Sequence, residues 1–352
     1  MDSYNEKNKL KISNANSKYM SKILHNSFLN KIKYIRKFII TIIFSLIILL
    51  LLFYFFNIFK YNNENNTSTY TYDNRDPEIK FDVNFEYHKF QRNIITDKII
   101  NNSKWQLGYE EPYFINGIIR KYKPKKCLEI GVAYGGSSIL ILNAIKDIKD
   151  SFLISLDLNT YLYTGEKLET GYNVKKYFPE LTDKWKLFTG DQPHKFLDKL
   201  NLKFDFLYLD TSHITPGEII NMIEALPFLE DNAIVILHDI MFHFFSYHKS
   251  YFNYNSKIHF SPIYLITSLM GDKAILENKQ IGLENIGVVR LFSNQDKYYN
   301  NYFLLLLSPW EYMPTDNQID DLRIFIKKYY KQDIYLKIFN KAVKENKIYL
   351  NK

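Results

Sequence analysis

Cys127-Leu-Glu-Ile-Gly-Val-Ala-Tyr-Gly-Gly-Ser-Ser138 is the stretch that decides how this chain is read. A short apolar run, Lys126–Ile130, breaks at Gly131 and passes through a turn holding Gly135 and Gly136. The next stretch, Ser137–Ile148, has Ile139, Leu140, Leu142, Ile145 and Ile148 on one helical face. Strand, glycine turn, helix is the setting in which a Gly-rich loop is informative. Without side chains the backbone approaches a ligand closely at a helix start.

Outward from this turn the same pattern repeats. Phe152–Leu156 reads as a strand ending at Asp157, Trp185–Thr189 as one ending at Gly190-Asp191, and Phe204–Leu209 as one ending at Asp210. Ile219–Leu226 reads as a helix, and Ala233–Leu237 as a strand ending at His238-Asp239. Apolar strands alternating with helices predict an α/β fold with a mostly parallel central sheet flanked by helices. In such sheets ligands bind outside the carboxyl ends of the strands. Five successive ends carry polar or glycine residues, Glu129/Gly131, Asp157, Asp191, Asp210 and His238/Asp239. Helix capping explains some of these acids, but not all five together.

The glycine spacing narrows the ligand. Dinucleotide sites use Gly-x-Gly-x-x-Gly to bring a pyrophosphate to the helix start. Here the order is Glu-x-Gly-x-x-x-Gly-Gly-Ser, and an acid ahead of the first glycine suits a cationic amino-acid ligand better. That spacing disfavours an NAD enzyme.

The run Cys127–Ser138 resembles the first motif of class I S-adenosylmethionine-dependent methyltransferases. Phe204-Asp-Phe-Leu-Tyr-Leu-Asp-Thr-Ser-His213 is similar to the fourth-strand motif of a bacterial subgroup that includes sugar and macrolide O-methyltransferases and cephalosporin-hydroxylase-like proteins. Leu229–Ile240 continues the likeness, which covers about residues 105–292. The resemblance implies a Rossmann-like methyltransferase fold and S-adenosylmethionine as cofactor. It places Glu129, Gly131, Gly135 and Ser137 at the methionine portion, Asp157 at the ribose, and Asp191 and Gln192 near adenine. It also implies a divalent metal, Mg2+ or another ion, at Asp210, His238 and Asp239. Histidine in place of a carboxylate departs from the catechol-type relatives and points either to a softer ion or to a site without metal.

Asp210 and His213 are the catalytic candidates. His213, with a pKa near neutrality, is suited to accept a proton from an acceptor hydroxyl. A hydrogen bond closing the loop after the strand is its competing reading. Asp205 reads as a loop or edge acid. His243, His248 and His259 lie in an aromatic segment without metal-ligand spacing, which reads as an acceptor-side lid or as packing.

The chain has 352 residues and a net charge of +8. Residues 1–37 hold nine Lys/Arg against two acids, seven of that excess, so residues 38–352 carry only +1. A nucleic-acid partner is therefore not expected, since such domains carry a basic face of their own. Phe38 to Phe59 has no charged residue. As a helix it would be roughly 33 Å long, enough to cross a bilayer. The predicted organisation is a basic tail (1–37), one transmembrane helix (38–59), a linker (60–85), a methyltransferase-like domain (86–295) and a C-terminal helical extension (296–352). The extension carries a capping box at Thr315 and Gln318.

The basic tail places residues 60–352 outside the cytoplasm by the charge rule, whereas cofactor supply places them inside. Both topologies stand at this level. The single cysteine, Cys127, excludes an intrachain disulfide. The expected activity is methyl transfer from S-adenosylmethionine to the oxygen of a saccharide or small-molecule hydroxyl, by an enzyme anchored in the lipid bilayer through residues 38–59. A non-catalytic, membrane-displayed binding domain is the alternative. A homo-oligomer is left open.

Overall fold

The computed structural model describes residues 96–103, 107–108, 110–243, 259–278 and 282–350. The predicted basic tail, transmembrane span and linker lie outside these residues. Among the described residues, no helix is long and apolar enough to cross a membrane.

Seven strands form one sheet in the order β3-β2-β1-β4-β5-β7-β6. Strands β1 (Lys126–Ile130), β2 (Phe152–Asp157), β3 (Trp185–Thr189), β4 (Phe204–Leu209) and β5 (Leu229–His238) run parallel to one another. Strands β6 (Gly271–Asn278) and β7 (Gly282–Leu291) close one edge, with β7 antiparallel to both β5 and β6. The order reverses at β1, with β2 on one side and β4 on the other. That reversal opens a crevice above the carboxyl ends of β1 and β4.

The five parallel strands were legible because burial on both faces demands unbroken apolar runs. The run Gly287–Phe292 reads from sequence as one late strand and falls at the end of β7, whereas β6 was not anticipated. Its stretch Gly-Asp-Lys-Ala-Ile-Leu-Glu-Asn mixes charge into an edge position, as edge strands do. β5 is also longer than the five residues expected, because it begins within the charged segment Leu229-Glu-Asp-Asn. The first crossover helix, α3 (Gly136–Ile145), stops short of the predicted Ile148.

Two cores flank the sheet. On one face, Cys127, Phe206, Tyr208, Ile234 and Ile236 pack against α3 and against α2 (Glu111–Tyr122). On the other, Leu128, Leu207, Val235 and Leu237 meet α6 (Gly217–Ala225) and the C-terminal helices. These are α9 (Asp316–Tyr329) and α10 (Asp333–Leu350), which contribute Ile319, Leu322, Phe325, Ile326, Phe339 and Val343 to that core. The segment after residue 295 is thus continuous with the sheet's own core rather than an added piece. Thr315 and Gln318 form the full capping box that opens α9.

Candidate active site

The glycine turn is held by backbone geometry. Gly131 has φ +92°, and a Cβ there would lie 1.7 Å from the Asp210 carbonyl oxygen, so the end of β1 runs against the end of β4 only because no side chain intervenes. Gly135, at φ +89°, is the left-handed residue from which α3 starts.

Under this turn lies a carboxylate. Glu129 is fully buried, and its oxygens accept hydrogen bonds from the Ser137 (2.6 Å), Ser138 (2.6 Å) and Ser155 (2.5 Å) hydroxyls. Burial pushes its pKa up to about 7, against the three hydroxyl donors that favour the ionised form. The structure thus pairs Glu129 and Ser137 with each other. From this position they brace the turn from below, joining β1, β2 and α3.

Asp157, at the end of β2, accepts the backbone N–H groups of Val132 (2.9 Å) and Ala133 (3.1 Å) on one oxygen and that of Asn159 (2.8 Å) on the other. It lies beside the turn, where the sequence placed it. Asp191 lies further out, just past the end of edge strand β3, nearly half exposed and paired with Lys195 at 3.1 Å. Burial opposes its ionisation, but the Gln192 N–H and the Lys195 ammonium outweigh this and hold its carboxyl below the usual range. Gln192 is buried, and its side-chain Oε1 has no hydrogen-bond partner. A buried amide oxygen without a donor is costly, so this atom fits a ligand that brings an N–H.

The second group forms where β4 and β5 end. His238 Nδ1 lies 3.2 Å from Asp210 Oδ2 and 3.5 Å from Asp239 Oδ1. His213 Nε2 lies 2.9 Å from Asp239 Oδ2 and 3.7 Å from Asp210 Oδ1, while its Nδ1 meets Glu218 Oε1 at 3.0 Å. On the far side of His238, Nε2 meets Glu111 Oε2 at 2.9 Å. The three sequence-predicted metal candidates and both catalytic candidates therefore share one cluster. Asp239 and His213 reach it with positive φ (55° and 57°), a cost accepted only where the surroundings fix the backbone.

Three members of the cluster were not found from sequence. Glu111 comes from the start of α2, Glu218 from the first turn of α6, and Asn285 from β7, donating through Nδ2 to Asp239 Oδ1. Glu218 left a faint signal, an acid set directly against Ile219-Ile220 at the start of an apolar helix. Glu111 and Asn285 left none, because only the fold brings them across the chain to the ends of β4 and β5. Asp205, read as a loop or edge acid, accepts the Lys125 and Lys126 N–H groups at 2.9 Å each.

The cluster is strongly acidic. Four carboxylates (Glu111, Asp210, Glu218, Asp239) surround two imidazoles, a formal −2 with both rings protonated and all acids ionised. Burial works against protonating His213, yet the Asp239 and Glu218 carboxylates raise its pKa well above the usual value. Asp239 is pulled down: burial opposes its ionisation, but His238 and His213 prevail. Glu111, Glu218 and His238 are closed off, whereas Asp210 and His213 (each 17% exposed) and Asp239 (14%) form the mouth. An acidic, partly open set of one nitrogen and several oxygen donors fits a divalent cation. Asp210, His238 and Asp239 each offer a ligand atom within 4.8 Å of the others.

The model of the family described as "Methyltransferase domain" matches residues 128–240, the span from the glycine turn to the Asp239 loop. Similar folds include a putative O-methyltransferase from Klebsiella pneumoniae (TM-score 0.43, 13% identity, 60% of this chain and 96% of that one). A methyltransferase from Podospora anserina solved with SAH bound gives 0.42 and 17%, covering 59% and 93%. An O-methyltransferase from Bacillus cereus, also in complex with SAH, gives 0.42 and 13%, covering 59% and 97%. No curated protein sequence matches the chain. Residues 128–240, from the glycine turn to the Asp239 loop, thus match the pattern of a methyltransferase domain, on a sheet whose order reverses at β1.

Proposed function

We propose that this protein moves a methyl group from S-adenosylmethionine to a hydroxyl oxygen of a small-molecule acceptor, a saccharide being the class expected, while anchored in a bilayer through residues 38–59. The observation that carries the oxygen-transfer reading is the Asp210–His213–His238–Asp239 cluster standing beside the Gly131 turn. Solved O-methyltransferases of similar fold are in keeping with it.

S-adenosylmethionine supplies a methyl group on a positively charged sulfur, and the rest of the work is positioning. Gly131 and Gly135 leave room for the methionine portion, with Glu129 and Ser137 holding their turn rigid from below. Asp157, with one oxygen oriented by the turn and the other by the Asn159 N–H, would take the ribose hydroxyls. Gln192 Oε1 would accept from the adenine amino group, with Asp191 at the outer edge.

On the acceptor side, Asp210, His238 and Asp239 would hold a divalent ion, which when bound lowers the pKa of a coordinated hydroxyl. His213 is pinned between Glu218 and Asp239, which engage both of its ring nitrogens and leave neither turned to the acceptor's proton. Its part is to fix Asp239. The partly exposed Asp210 carboxylate is then the group open to the acceptor's proton.

Calorimetry of the full chain with S-adenosylmethionine tests the cofactor, and absence of binding at millimolar concentration would sink the proposal. Mass spectrometry of saccharide and simple hydroxyl acceptors after incubation tests the oxygen. A gain of one methyl that survives mild base on an ether, and is absent from amine acceptors, is expected. Membrane fractionation with and without residues 38–59 tests the anchor.

A further inference from the structure

We propose that Glu111 is a positioning residue that presents His238 to Asp210 and Asp239 as a nitrogen ligand, so that the site takes a first-row transition ion of the Co2+/Zn2+ class in preference to Mg2+. This rests on the reading of Asp210, His238 and Asp239 as a cation site. It goes beyond that reading by naming the ion class and a residue outside the matched span 128–240.

The geometry begins at the buried side. Glu111 opens α2, is closed to solvent, and places Oε2 2.9 Å from His238 Nε2 while the same oxygen accepts the Gly108 N–H at 2.6 Å. A ring nitrogen this close to a carboxylate carries a proton. With an ion bound, that proton stays on Nε2 toward Glu111 and the lone pair is on Nδ1, turned toward Asp210 and Asp239.

Nδ1 is itself buried and makes no hydrogen bond of acceptable geometry, although two carboxylate oxygens stand 3.2 and 3.5 Å away. Positive charge belongs between Nδ1 and these two carboxylates, as a proton on the ring in the empty site and as a metal ion in the loaded one. Ligand atoms that share an ion at roughly 2.0–2.2 Å lie about 3.3–3.6 Å apart in a tetrahedral arrangement, close to the 3.2 and 3.5 Å that separate Nδ1 from the two carboxylate oxygens. A carboxylate behind a metal-facing histidine is the arrangement that fixes its tautomer and raises its basicity.

The choice of ion follows from the donors. Mg2+ takes oxygen ligands and keeps its waters, so a buried imidazole offers it little. Imidazole binds later first-row ions far better, in the rising order Mn2+, Fe2+, Co2+, Ni2+.

The test uses the full chain in mild detergent, without a polyhistidine tag and stripped of metal by chelator. Co2+ is titrated by its visible absorption, Mg2+ is added as competitor, and S-adenosylmethionine binding is measured in parallel. Wild type is expected to hold Co2+ at least about tenfold more tightly than Mg2+. Glu111→Gln is expected to weaken Co2+ by about 10–100-fold and to move Mg2+ little. His238→Asp, which makes the donor set all oxygen, should abolish the preference.

Equal or tighter Mg2+ binding in wild type overturns the proposal. So does an unchanged Co2+ affinity in a Glu111→Gln protein that still binds S-adenosylmethionine. Should Glu111→Gln fail to fold, His238→Asp decides: a retained Co2+ preference there overturns it. Wild type that binds S-adenosylmethionine but no ion ends this inference and leaves methyl transfer standing, whereas loss of cofactor binding ends the latter.

Discussion

The two halves of the strand-end crevice are built on different principles. Around β1–β3 the site is made mostly of backbone: a glycine turn with positive φ, N–H groups gathered by Asp157, and one buried carboxylate satisfied by three hydroxyls. Around β4–β5 it is made of side chains, six ionisable groups in mutual contact. The first half needs shape, because a cofactor with a fixed outline must be seated. The second supplies charge, which on the proposed reading holds a cation and takes the acceptor's proton. With the sheet order written from β3, changes in the left half (β1–β3) should therefore alter cofactor binding or folding, and changes in the right half (β4–β5) turnover.

The sharpest way to break this division is Gly131→Ala. The new Cβ would meet the Asp210 carbonyl at 1.7 Å in a left-handed conformation. A stability loss of more than about 3 kcal/mol and no measurable cofactor binding by calorimetry are expected. Because the clash falls on Asp210, this one position joins the halves, and normal cofactor affinity in the variant would refute the close approach.

Asp210→Asn should do the opposite. Turnover is expected to fall by about 10²–10³-fold, with cofactor affinity within about threefold, since only the acceptor side loses charge. Parallel kinetics and calorimetry separate the two, and an equal fall in both would erase the division.

Glu129 gives a pH signature to the left half. Its folded pKa of about 7 lies above the ordinary 4.5, so the native state binds the extra proton between those values. Stability from this group is then full below about pH 4.5 and is lost as pH rises through 7, by roughly 3 kcal/mol. Denaturant titrations from pH 5 to 8 should show that decline, and Glu129→Gln should flatten it. A wild-type curve no steeper than the variant's would show that the three serines stabilise the carboxylate more than burial penalises it.

Asp157→Ala removes the acceptor for two turn N–H groups, and cofactor affinity should drop about tenfold, or ~1.4 kcal/mol, with turnover at saturation little changed. The smallest effect serves as the control outside both halves. Thr315→Ala breaks the α9 capping box and should cost about 1 kcal/mol in denaturation without touching cofactor binding.

The left half was the more legible from sequence, for a physical reason. Gly131, Gly135 and Asp157 do their work within one strand–turn–helix unit and its neighbour, so their spacing along the chain already states their geometry. Even there, Glu129 was read as a ligand contact. The structure shows its oxygens occupied by Ser137, Ser138 and Ser155, because side-chain partners across strands are invisible in a linear pattern. His213 was open between base and loop closure, and its two carboxylate neighbours now bind it on both nitrogens.

By itself, then, the sequence determined the parallel sheet, the turn that seats a nucleotide-like ligand, the acids at the strand ends and the capped helix after Thr315. Each rests on local periodicity or on residues adjacent in the chain. Only the tertiary structure decided which charges meet. Glu111 reaches His238 across 127 positions and Asn285 reaches Asp239 across 46. The sheet order, not the sequence order, sets β1 beside β4 and β5 beside β7. Electrostatics acts through space over a few ångströms, and the chain's order carries no record of those distances until the sheet has formed.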